Sequence, residues 1–172
     1  GNVLTSDGTD WTSAAAGGGG LYASVAIIGD VKANDTVSGT FTSGAWRTRD
    51  LNTEVSDADG IVSISSNQFT LAAGTYTVEW YCPTFKVDES ISRLQDTTNT
   101  ISYYSSNSFT SSAVSFSGSV IGMQTLTIAS SAIFEIDHYC LVTKGTNGFG
   151  SGYSALLPGT STYTLVKILK HS

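Results

Sequence analysis

The chain has 172 residues, enough for one domain with a sizeable core, and 13% of them are charged, against roughly 25% in an average soluble protein. Its net charge is −6 and its eight Lys and Arg are scattered, which excludes the basic footprint of a nucleic-acid binder. No apolar run approaches the ~20 residues of a membrane-spanning helix, and two cysteines are too few for a disulfide scaffold.

The polar surface must therefore come from Ser, Thr, Asn and Gly, which suit strands and turns better than helices. The opening Gly1-Asn2-Val3-Leu4 has no initiator Met and no basic leader, as expected of a fragment or a processed product. Residues 1–20 carry Trp11, a Ser-Asp-Gly-Thr-Asp turn cluster and four glycines, Gly17 to Gly20. They read as a lead-in with a flexible hinge, ahead of one domain over 21–172.

From Leu21 the pattern is strand, turn, strand. Leu21–Ile28 is a short apolar run closed by Gly29-Asp30. Ala45–Leu51 follows, with Trp46 and Thr48 on one face and Arg47 and Arg49 on the other. Asp57-Ala58-Asp59-Gly60 turns the chain into Ile61–Ser65, and Ala72-Ala73-Gly74 turns it into Thr75–Phe85. There Tyr76, Val78, Trp80 and Cys82 share one face while Thr77, Glu79 and Tyr81 share the other, the period of two of a half-buried strand. Ser90–Asp96 and Ile101–Tyr104 come next, then an alternation of Val114, Phe116, Gly118 and Val120, and a separate strand with Leu126 and Ile128. Ile133–Val142 puts Phe134, Ile136, His138 and Cys140 on one side. The last strand, Thr162–Lys170, is apolar on both faces, which predicts a central position or a subunit contact. Eight to ten strands with no helical period predict an all-β antiparallel sandwich or barrel.

Candidate chemistry is sparse. His171 stands next to the chain's last residue and is expected to be mobile. His138 on an apolar strand face reads as a hydrogen-bonded core histidine, and no Gly-x-Ser-x-Gly elbow accompanies it. The carboxylates Asp88 and Glu89 suit a glycosidase pair in type, but charge at a turn explains them as well. Glu54, Asp57 and Asp59 offer oxygen ligands for calcium, yet lack the later ligands of a calcium loop and fit an Asp-Gly turn. Cys82, Cys140 and His138 lack a fourth zinc ligand, and the cysteines read as small hydrophobes. The expectation is no enzyme, no metal and no cofactor.

Recognition is the better-supported chemistry. Tyr103 and Tyr104 adjoin the polar run to Asn107 and Phe109, while Asn147, Phe149 and Tyr153 lie in the Gly-rich stretch 145–153. Aromatic rings flanked by Ser and Asn suit sugars and adaptable protein contacts. The same rings also suit covering the ends of a sandwich or packing between subunits.

Two stretches carry a family resemblance. Val3-Leu4-Thr5-Ser6-Asp7-Gly8-Thr9-Asp10-Trp11 looks like an element that recurs between modules of phage tail-fibre proteins. Residues 41–77, with Phe134–Cys140 and Thr146–Gly150, resemble a family of phage fibre and tip domains whose layout is similar to the trimeric jelly rolls of the tumour-necrosis-factor and complement-collagen type. Gly74-Thr75-Tyr76-Thr77-Val78 fits the Gly-x-Tyr-x-Val strand start common there. The resemblance implies a jelly-roll β-sandwich, a homotrimer, a virion location and a non-enzymatic role in binding a host-surface receptor, glycan or protein, or other virion proteins. A capsid decoration or head-fibre protein is the alternative within that class. A polysaccharide-binding or polysaccharide-degrading jelly roll is the alternative outside it.

Overall fold

The computed structural model describes residues 2–6, 8, 9, 11–15, 20–151 and 159–172. Ahead of the main body, β1 (Asn2–Ser6) pairs antiparallel with β2 (Trp11–Ala15), so the lead-in contains a hairpin. Gly17 to Gly19 of the expected hinge lie outside the described residues.

The sandwich is built from β3 (Tyr22–Ala33), β4 (Arg47–Thr48), β5 (Thr53–Asp57), β6 (Val62–Ser65), β7 (Gln68–Leu71), β8 (Gly74–Phe85), β9 (Glu89–Asp96), β10 (Ile101–Phe109), β11 (Ser117–Ile128), β12 (Ala132–Cys140) and β13 (Thr160–His171). One sheet runs β11-β8-β13-β3-β5 and the other β10-β9-β12-β7-β6, with β4 added alongside β12. Every pairing is antiparallel, and no helix occurs among the described residues. The fold is a jelly-roll β-sandwich.

The alternations read from sequence become the core. Tyr76, Val78, Trp80 and Cys82 of β8 are buried against Leu94 of β9, Phe134 and Ile136 of β12, and Phe69 of β7. The Trp80 indole N–H donates across the core to Ser92 Oγ at 2.8 Å, which satisfies a polar group that burial alone would penalise. The indole lies over Gly122, its partner across the β8–β11 ladder. The last strand is central in its sheet, between β8 and β3.

Several expectations need correction. Ala45–Leu51 contributes only the two-residue β4, and the Arg49 side chain that follows it is buried. The alternation from Val114 and the strand around Leu126 are one continuous β11 that begins at Ser117, leaving Val114 and Phe116 exposed before it. β5, polar throughout but for Val55, and β7, a four-residue strand with Phe69 and Leu71 buried, were not read from the sequence. His171 is held rather than mobile: its Nε2 lies 2.9 Å from Thr77 Oγ1, and its ring meets Tyr22 edge-on at 5.2 Å.

The acidic turns use their carboxylates on the backbone. Asp57 accepts from the Ile61 and Val62 amides at 2.9 and 3.0 Å, closing the β5–β6 turn. Asp88 sits at φ 58 and accepts from the Ser112 amide at 2.6 Å and the Ser112 hydroxyl at 3.1 Å. Among the described residues no group of three His, Cys, Asp or Glu side chains could hold a metal ion.

A Cβ at Gly122 would lie 2.0 Å from the Trp80 ring, with no room for the indole to yield in a packed core. Gly122→Ala is therefore expected to cost about 3 kcal/mol, the upper end for overpacking. Urea titration followed by Trp fluorescence reads this as a lower midpoint.

Candidate functional site

Three regions could carry function: a buried polar cluster, the outer face of the five-stranded sheet and the outer face of the other sheet. The buried cluster gathers around Arg49, which is 1% exposed. Its Nε donates to Thr164 Oγ1 at 2.9 Å, Nη1 to the Pro83 carbonyl at 3.2 Å, and Nη2 to the Phe149 carbonyl at 3.1 Å and to the Tyr163 carbonyl. The guanidinium also stacks 4.6 Å over the Phe149 ring.

His138 Nδ1 lies 3.5 Å from Arg49 Nη1. Because guanidinium only donates, that nitrogen is the acceptor and the imidazole proton belongs on Nε2, which has no partner among the described residues. Burial, and then the Arg49 charge, hold His138 well below its ordinary pKa, so it is neutral. Burial also pushes the Cys82 thiol up to about 11, far from a reactive thiolate. The two cysteines are unbonded and buried. A neutral histidine, a protonated thiol and a saturated guanidinium closed off from solvent make a structural cluster rather than a catalytic one.

The outer face of the five-stranded sheet carries an exposed apolar patch beside two threonine rows, Thr125 opposite Thr77 and Thr127 opposite Thr75. Ladder partners Ile121, Tyr81 and Leu165 form one row; Met123, Glu79, Lys167 and Ile27 form the next. Met123 is 67% exposed and Ile121 60%, with Tyr81 and Val25 also exposed. The charged residues at the centre of this face neutralise each other, Lys167 Nζ lying 3.4 Å from Glu79 Oε2.

The outer face of the other sheet is aromatic and polar. Phe109 pairs with Glu89; Asn107 pairs with Ile91, which pairs with Tyr139; Tyr104 pairs with Arg93, which pairs with Asp137. Arg93 Nη2 lies 2.8 Å from Asp137 Oδ2, and its guanidinium stacks 4.3 Å over Trp46. Trp46 in turn meets Tyr104 at 6.0 Å and Tyr139 at 5.7 Å. A groove follows the strands beside this cluster, lined by Glu89, Ser90, Ile91, Asn107, Tyr139 and Leu141.

Of the residues singled out from sequence, Tyr104, Asn107 and Phe109 share this outer face. Tyr103, one position out of phase, packs against the core. Phe149 stacks on Phe41 at 4.4 Å beneath Arg49. Asn147 bridges to Gly39 in a loop that Gly148 packs tightly onto Phe41. Tyr153 lies outside the described residues. Trp46, Arg93 and Tyr139 were missed as surface partners, because their meeting depends on the pairing of β4, β9 and β12.

No family model and no curated protein sequence matches this chain. Solved structures do. The globular domain of the zebrafish complement 1qA protein aligns with TM-score 0.53 and 18% identity, covering 85% of this chain and 95% of that one. Murine APRIL at pH 5.0 aligns with TM-score 0.55 and 9% identity, covering 86% and 98%. At these identities the likeness is one of fold.

The neutral, buried His138 ties stability to pH. Its folded pKa is depressed, so below the ordinary value of 6.5 the unfolded chain binds a proton that the folded chain refuses. This contribution is fully present above about pH 6.5 and is lost as pH falls, by up to about 1.4 kcal/mol per pH unit. His138→Gln, which keeps an acceptor for Arg49, should flatten that limb relative to wild type in urea midpoints taken from pH 7.5 to 5.

Proposed function

We propose that this chain is a non-enzymatic virion module, a phage fibre or tip domain that assembles as a homotrimer and attaches to a host surface. The observation that carries the reading is the contrast between the two outer faces. One exposes Ile121 and Met123 around the self-neutralised Lys167–Glu79 pair; the other is rich in aromatic and polar groups.

An apolar patch with Met123 and Ile121 in solvent is costly for an isolated chain. Burying each such side chain against a neighbouring copy contributes about 1.5–3 kcal/mol. Three copies around an axis follow from the resemblance to trimeric jelly rolls, and closed symmetry stops the association at a finite particle. The aromatic face then points outward three times, and weak contacts at each copy combine through effective concentration. A non-enzymatic role is supported by the sealed state of His138 and Cys82. The virion placement rests on the sequence resemblance of residues 3–11 and 41–77.

Light scattering at micromolar concentration should give three chain masses, and the double variant Ile121→Glu, Met123→Glu should give one with an unchanged far-UV spectrum. A monomeric wild type would overturn the assembly. Retention of the fluorescently labelled wild type on bacterial host cells should exceed that of the double variant by about 100-fold, the lower end of avidity gains. Equal retention would remove the link between assembly and attachment.

A further inference from the structure

We infer that the groove on the outer face of β9, β10 and β12 binds one ring of a neutral saccharide; this rests on the attachment reading and names its ligand class. The floor is Ile91, with Asn107 and Tyr139 beside it as its ladder partners, Glu89 and Leu141 at one end, and Tyr104 beyond the other. Its volume is ≈ 160 Å³, below the roughly 300–1,000 Å³ of drug-sized sites, so one ring enters and the rest of a glycan lies outside.

The groove holds unused hydrogen-bonding capacity. Among the described residues, the Glu89 carboxylate, the Asn107 amide and the Tyr104 and Tyr139 hydroxyls make no hydrogen bond or ion pair. Beside the groove, Arg93 is bound to Asp137 and stacked on Trp46, and Ser102 donates to Gln95. Free acceptors and donors next to an exposed aromatic face match a pyranose, whose hydroxyls donate to a carboxylate while its C–H face covers a ring.

Charge selects among sugars. Glu89 makes no ion pair among the described residues, and Arg93, further along β9 on the same face, is bound to Asp137. An acidic sugar or a phosphate would bring like charge to Glu89. A peptide cannot add as a strand to the groove floor, since β9 is hydrogen-bonded on both edges, to β10 and β12.

The test is saturation-transfer NMR on the intact chain, with the methyl glycosides of glucose, galactose, mannose and N-acetylglucosamine as probes and N-acetylneuraminic acid as the acidic comparison. At least one neutral probe should bind at millimolar concentration, with affinity at least tenfold weaker in Tyr139→Ala and in Asn107→Ala. Val55→Thr, on β5 and remote from the groove, should leave binding unchanged, and thermal unfolding should show all variants folded. Glu89→Gln should narrow the preference for neutral over acidic sugar. Silence from all four neutral probes, equal binding of the acidic sugar, or binding indifferent to Tyr139 and Asn107 overturns the inference. If sugar binding fails while cell retention survives in wild type and is lost in Tyr139→Ala, the ligand class falls and attachment stands. Loss of both in wild type removes attachment as well.

Discussion

Arg49 carries a full positive charge into the interior with no carboxylate in contact. A buried charge is tolerated only when its donors are met and its field is answered by oriented dipoles. Here Thr164 and Tyr163 of β13, the Pro83 carbonyl of β8 and the Phe149 carbonyl answer it, and the Arg49 amide itself donates to the Ile136 carbonyl of β12 at 2.7 Å. One side chain thus ties both sheets and the loop before β13. Phe149 is drawn under the guanidinium and onto Phe41, and Phe41 packs against His138 at 4.8 Å. The neutrality of His138 follows from the same charge and the same exclusion of water.

Asp30 is buried and its pKa is raised by burial, against which Lys32 and Asn52 hydrogen-bond it. Lys32 reaches on to Asp50 at 3.0 Å, adjacent in sequence to Arg49. The remaining core is held by apolar burial and by the Trp80–Ser92 bond between sheets. The two outer faces differ in composition, one exposing Ile121 and Met123 and the other Tyr104, Asn107 and Phe109.

Strand identity was legible in the sequence wherever one face of a strand is apolar. The alternation through Tyr76, Val78, Trp80 and Cys82, and that through Phe134, Ile136 and His138, mark core positions because side chains alternate across a sheet. The glycines and aspartates that punctuate them mark turns because their backbone and side-chain geometry favours reversal. Strands such as β5, whose residues Thr53–Asp57 show no apolar period, escaped that test. Half of the candidate site was legible in the same sense: Tyr104, Asn107 and Phe109 stand out as aromatics in polar company.

The sequence by itself determined the all-β class and the buried faces, since these depend on local period and residue type. Tertiary structure alone decided that Arg49 is the interior cation, that Phe149 is structural packing, and that Trp46, Arg93 and Tyr139 complete the aromatic face. Those facts depend on which strands become neighbours: ladder register sets Thr48 and Arg93 beside Asp137, and the Arg49 side chain reaches the Phe149 carbonyl, with no local pattern to announce either.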